Sequence, residues 1–194
     1  MSNLLDNIVT VNQQAAANKG GGGSYLNMSS ITEDQPARIT LLGDNSAAGF
    51  EVWVSKKPMR FATEPSREDI SQRAEELKVT PQGDEKARPF YAFFVWNYDA
   101  EKVQAFSFSA VSLIDPIIAA LSDEEIGAEP HAYDFKVSAT GTGLDKRYAA
   151  SCVPGKRRQP AVDKKITAAW EEVVGEGCEL SNLLVGADPF KALF

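Results

Sequence analysis

Basic and aromatic side chains fall together three times along this chain. "FEVWVSKKPMRF" sets Trp53 and Phe61 around Lys56, Lys57 and Arg60, and "YAFFVWNYDAEK" sets Tyr91, Phe93, Trp96 and Tyr98 close to Lys102. "FKVSATGTGLDKRYA" sets Lys136, Lys146, Arg147 and Tyr148 around Gly141 and Gly143. Ammonium and guanidinium groups neutralise phosphates, and flat rings accept unpaired bases. Each aromatic taken singly has a structural alternative, because large apolar side chains also fill small cores.

The glycine pair admits three readings: a phosphate cradle, a hairpin turn, or room for another backbone to pass close by. A dinucleotide fingerprint has three glycines between a strand and a helix, and a nucleotide P-loop ends in lysine and a hydroxyl residue opening a helix. "TGTGLDKRYAAS" instead leads from one β-prone run to another, so a hairpin is expected.

Acid/base and metal chemistry find little to work with. The single histidine, His131, and two cysteines, Cys152 and Cys178, offer neither a triad nor a four-ligand zinc set. The cysteines are expected as free thiols in a reducing cytoplasm. The acidic residues form no recognisable phosphoryl-transfer motif, which ranks a nuclease or nucleotidyl transferase last and leaves no catalytic residue, metal or cofactor expected.

Charge is uneven. The 194 residues carry a formal net charge of -7, yet residues 131–165 hold Lys136, Lys146, Arg147, Lys156, Arg157, Arg158, Lys164 and Lys165 against Asp134, Asp145 and Asp163. The flanking stretches, 111–130 and 166–194, are acidic. A polyanion responds to the local field and not to the total. Hydrophobic residues at 43% and charged residues at 24% are ordinary for a chain that buries a core, and no apolar run approaches the length of a membrane span.

These residues must be held by short strands. "YLNMSSI", "ARITLLG" and "GFEVWVS" read as a β-meander, and "PFYAFFVWN" and "KVQAFSFS" as a hairpin. In "PFYAFFVWN" strand alternation sends Phe90, Ala92, Phe94 and Trp96 to one side and Tyr91, Phe93 and Val95 to the other. Helices are expected at "SREDISQRAEELK", capped by Ser66 and Asp69, at "DPIIAALSDEEIG", capped by Asp115 with Pro116 in its first turn, and at "AVDKKITAAWEEVVG". The last carries Val162, Ile166, Trp170 and Val173 on one stripe. This order predicts a mainly β fold with helical additions, a five-stranded OB-type Greek-key barrel over residues 25–175. Residues 1–24 are expected as a flexible arm with a short helical stretch ending in "GGGG", and residues 176–194 as an acidic tail.

Three blocks carry a resemblance: "GFEVWVSKKPMRF", "FYAFFVWNYDAEKVQAFSFS" and "AYDFKVSATGTGLDKRYAAS". In this order and spacing they resemble the signature blocks of single-stranded DNA-binding proteins of tailed bacteriophages, a group distantly similar to the helix-destabilising protein of T-even phages. The resemblance spans roughly residues 25 to 153. It implies an OB-fold that protects single strands during phage DNA replication, recombination and repair without catalysis, in the cytoplasm of an infected host. At matching positions Trp53, Lys57, Arg60, Trp96, Lys136, Arg147 and Tyr148 are implied as strand contacts. Two features depart from the T-even relative: the zinc-holding cluster of cysteines and histidine is missing, and the N-terminal arm has only Lys19 as a cation. The acidic tail with its aromatic tip suggests docking on replication proteins such as a polymerase, helicase or primase through Asp188, Phe190 and Phe194, or folding back onto the barrel. The competing class is a protein-interaction adaptor of a phage replication complex or virion.

Overall fold

A computed structural model describes residues 23–153 and 158–191, so the expected N-terminal arm lies outside the described residues apart from its last two positions. Its spine is β1 (Ala37–Val54), one strand of 18 residues. Near its start, Ile39 to Leu42 pair with Asn97 to Phe94 of β3 (Arg88–Asn97); the register then shifts, and Ser46 to Glu51 pair with Phe93 to Arg88. Along its other edge β1 pairs twice, with β5 (Asp134–Thr140) through residues 37–39 and with β2 (Lys57–Phe61) through residues 50–54. The β3–β4 (Lys102–Phe108) and β5–β6 (Arg147–Val153) hairpins complete an antiparallel sheet of six strands, ordered β4-β3-β1-β5-β6 with β2 on β1.

A mainly β fold with helical additions is therefore observed, but the sheet is open and has six named strands where a closed barrel of five was expected. One physical reason is that the outer edge of β4 is already occupied. Leu26 donates its N–H to the Ala105 carbonyl and Ala105 donates to the Ser24 carbonyl, each at 2.9 Å, in a parallel bridge centred on Tyr25. A ladder from β6 would have to displace this bridge at Ala105.

The sheet is covered on both faces. One core gathers Ile39, Leu41, Val95, Phe106, Phe135 and Val137 under α2 (Val111–Leu121), with Tyr91 and Phe93 at its margin. The other gathers Phe90, Phe94 and Trp96 under α4 (Pro160–Gly175), whose Val162, Ile166, Trp170 and Val173 form the expected stripe. A third, smaller cluster packs Val52, Val54 and Met59 against Ile70 and Ala74 of α1 (Arg67–Glu76). The alternation expected along β3 holds, and both of its aromatic sides are used inward.

Helix starts follow the caps in one case and burial in another. Ser66 and Asp69 form the expected capping box, each accepting from the other's backbone N–H. The helix expected to start at Asp115 begins earlier, at Val111, with Pro116 inside it. Burial of Leu113 and Ile114 pulls the additional turn into the core, and Ser112 Oγ donates to the Tyr148 carbonyl at 2.7 Å. A short helix, α3 (Glu124–Ala128), follows.

Of the two courses expected of the C-terminal segment, the described residues take the second and fold back, here onto the open sheet. Leu180–Val185 form a 3-10 helix whose Leu180 and Leu183 are buried, and Phe190 meets the Phe94 ring edge-on at 5.3 Å. Asn182 Nδ2 donates to the Lys191 carbonyl at 2.9 Å and Glu179 donates to the Pro189 carbonyl at 2.9 Å, closing the segment on itself. Among the described residues no helix is long and apolar enough to cross a membrane.

Where β1 changes register, Gly43 takes φ +66° and a Cβ there would lie 2.5 Å from Trp170 Cζ2 of α4. Both the left-handed backbone and the close ring require glycine. Gly43→Val should therefore lower unfolding free energy by roughly 2–4 kcal/mol, combining backbone strain with overpacking. Urea melts of the two proteins measure it, and a difference within error of zero would mean that α4 does not lean on this point.

Candidate nucleic-acid interface

The β1–β2 turn carries the most exposed ring among the described residues. Ser55 and Lys56 have φ of 50° and 66°, the positive pair that a two-residue hairpin turn of matching twist requires. The resulting register sets Pro58 opposite Trp53 and Arg60 opposite Glu51. Trp53 is 53% exposed, the one tryptophan whose ring stands in solvent to this degree. Its Nε1 donates to Glu51 Oε1 at 2.8 Å, Ser109 Oγ donates to the same oxygen at 2.9 Å, and Arg60 Nε donates to Oε2 at 3.1 Å. The Arg60 guanidinium lies over the Phe90 ring at 4.5 Å. Glu51 itself is buried.

Two clefts share the Trp53 indole as a wall. One, of about 270 Å³, is lined by Met28, Glu51, Arg60, Phe108, Ser109 and Tyr148 besides Trp53. The second, of about 460 Å³, is bordered by Trp53, Asp84, Lys86 and Arg88. Tyr148 is fixed by its hydroxyl, which donates to the Met28 carbonyl at 3.0 Å. Lys146 sits 5.1 Å over the Tyr148 ring and donates to the carbonyls of Met28 and Ser29 at 3.3 and 3.0 Å. Trp53, Arg60, Lys146 and Tyr148, drawn from two of the sequence clusters, are thus brought to one place. Lys56 and Lys57 are exposed at the adjoining turn, with Lys57 Nζ donating to the Leu77 carbonyl at 3.3 Å.

Lys86 and Arg88 belong to none of the three basic and aromatic clusters of the sequence. Arg88 faces Glu51 only through the β1–β3 register, a long-range pairing without a local signal.

The glycine hairpin is a turn, as its context suggested. Gly141 has φ +74° and a Cβ there would lie 2.7 Å from the Asp145 carbonyl oxygen; Gly143 has φ +59°. Strand alternation divides its cations. Tyr148 turns toward the α2 core, while Lys136 and Arg147 are exposed on the opposite face of the hairpin, with Arg38 as the cross-strand neighbour of Lys136. Lys136 and Arg147 are therefore not neighbours of the Trp53 clefts across the sheet surface.

Other expected contacts lie elsewhere. Trp96 is only 2% exposed, packed with Phe94 under α4, so the expectation that it stacks a base is overturned: its faces are already covered by protein. Tyr91 and Phe93 are half-buried, their rings 5.9 and 6.2 Å from Phe108. Lys102 pairs across the β3–β4 hairpin with Asn97, next to the buried Trp96. For the tail, Phe190 is engaged with Phe94, and Asp188 accepts from the Phe190 N–H at 3.0 Å, so both take part in the chain's own fold. Phe194 lies outside the described residues.

Tyr98 belongs to a second buried-carboxylate hub. Its hydroxyl donates to Asp134 Oδ1 at 2.8 Å, Thr40 reaches the same oxygen, Arg38 Nε donates to Oδ2 at 2.8 Å, and Arg158 stands 3.6 Å away. Arg38 also covers the Tyr98 ring at 4.4 Å. A cavity of about 670 Å³ between Gly43, His131, Arg158 and α4 shares no lining residue with either Trp53 cleft. Burial raises the thiol pKa of Cys152 and Cys178, with nearby carboxylates adding to it, which keeps both protonated at neutral pH.

Comparison with protein-family models, with curated proteins and with solved structures finds no match to this chain.

Burial, followed by the hydrogen bond to Asp134 and its charge, pushes the Tyr98 hydroxyl from 10.0 up to about 12. A folded-state value above the unfolded one favours the protonated phenol in the folded chain. Its contribution is complete below about pH 10 and is lost as pH rises toward about 12. The stability gap between the wild type and Tyr98→Phe should accordingly shrink over that interval in parallel urea melts. A gap that stays constant or widens would mean that the phenol is not held in this way.

Proposed function

We propose that this protein binds single-stranded DNA without regard to sequence, covering strands exposed in phage DNA replication, recombination and repair. The observation that carries the reading is the exposed Trp53 ring standing between two clefts, one bordered by Arg60 and Tyr148 and the other by Lys86 and Arg88. Bases stack on the ring faces while the cations follow the phosphates. Stacking contributes about 1–3 kcal/mol per base and depends little on which base it is. Paired bases have both faces covered by their neighbours, so a duplex gains only the phosphate term.

The resemblance of the three sequence blocks supports the same reading independently. An adaptor role would draw on a free tail, and the engagement of Asp188 and Phe190 within the fold removes that support. Catalysis is not part of the proposal.

Contacts from Arg60, Lys86, Arg88 and a turn lysine amount to about 3–4 phosphates, which for a single strand implies a slope of log K on log salt of about -2 to -3. A fluorescence titration with oligo-dT at two salt concentrations measures it. Tryptophan emission should be quenched on binding, and Trp53→Ala should weaken binding roughly 10- to 100-fold. Affinity that ignores salt, or an unaltered Trp53→Ala variant, would contradict the proposal.

A further inference from the structure

A carboxylate in the wall of a cleft proposed to hold a polyanion is out of place on charge alone, since it repels phosphates. Glu51 lines the Trp53–Tyr148 cleft and is nevertheless turned to protein: one oxygen takes Trp53 Nε1 and Ser109 Oγ, the other takes Arg60 Nε. These donors come from β1, from β2 and from the residue after β4. A carboxylate can accept all of them at once, whereas the amide of glutamine presents a single acceptor oxygen.

The geometry of the two held groups matters more than their number. The indole has one donor, Nε1, on its edge. Anchoring that edge to Glu51 stops the half-exposed ring from turning and leaves its faces bordering the two clefts. Arg60 is held by Nε with its guanidinium carbon over Phe90, and among the described residues no hydrogen bond engages its Nη groups. Ring and cation therefore wait in fixed orientations, and a strand that binds them avoids the cost of ordering them.

We infer that Glu51 is a positioning residue of the single-strand site: it acts through Trp53 and Arg60, and its negative charge is tolerated because the order it imposes outweighs the repulsion. The inference rests on the single-strand reading proposed above. It also reverses the sign that charge alone gives, because removing a carboxylate from a polyanion site should otherwise tighten binding.

Two variants test it with the full chain. Glu51→Gln removes the charge; Glu51→Asp keeps it on a side chain one methylene shorter, unable to span the same donors. Both should weaken oligo-dT binding about tenfold, within the range of a lost stacking contact. In protein labelled with 5-fluorotryptophan and free of DNA, both should move the fluorine NMR signal of Trp53, assigned by its loss in Trp53→Phe, toward that of the free amino acid. The signals of Trp96 and Trp170 should stay in place. Equal or tighter binding by Glu51→Gln overturns the inference, as does a shift of all three tryptophan signals, which would make Glu51 a general support of the fold. A wild type that leaves oligo-dT unbound removes the function itself and is told apart because it needs no variant.

Discussion

Strand β3 carries large rings on both of its sides, and neither side can be left to water. Each ring takes roughly 150–250 Å² out of solvent on burial, about 4–6 kcal/mol at the usual area coefficient, before the entropy of ordering is subtracted. Phe90, Phe94 and Trp96 call for a layer on one face, and Tyr91, Phe93 and Val95 for one on the other. Helix α2 supplies the second layer. The first needs α4 together with Leu180, Leu183 and Phe190, which is why the C-terminal segment folds back onto the sheet.

With both faces covered, what remains exposed is selected by exclusion. Trp53 lies on the extension of β1 that pairs with β2, and there a buried carboxylate holds its edge instead of a hydrophobic layer covering its face. The protein is acidic overall, yet the groups bordering this ring include Arg60, Lys86 and Arg88. Glu51 and Asp134 play parallel parts at opposite ends of β1. Each is a buried acceptor that gathers cations and aromatic hydroxyl or indole donors from separate strands, so that polar groups at the sheet's ends are satisfied without water.

Much of the local structure was legible in the sequence. The alternation along "PFYAFFVWN", the Ser66–Asp69 box, the stripe of α4 and the glycine hairpin all rest on neighbours close in the chain, and all appear. What misled was long-range. Trp96 was expected at the strand and Phe190 at a partner, but a sheet covered on both faces absorbs both rings. Pro116 and Asp115 gave a sound local start for α2, overridden by the burial of Leu113 and Ile114 one turn earlier. The cations around Gly141 and Gly143 looked like one cluster until strand alternation separated Arg147 from Tyr148, and Arg88 became a candidate only through its pairing opposite Glu51.

The direct test of the account is where an unpaired base comes to rest. Oligo-dT carrying a single 5-bromodeoxyuridine can be irradiated in complex with the protein and the joined peptide mapped by mass spectrometry. Cross-links should fall on Trp53 or Tyr148, the rings that border the smaller cleft. Cross-links confined to the Lys136–Arg147 face of the β5–β6 hairpin, or to none of these residues, would contradict it.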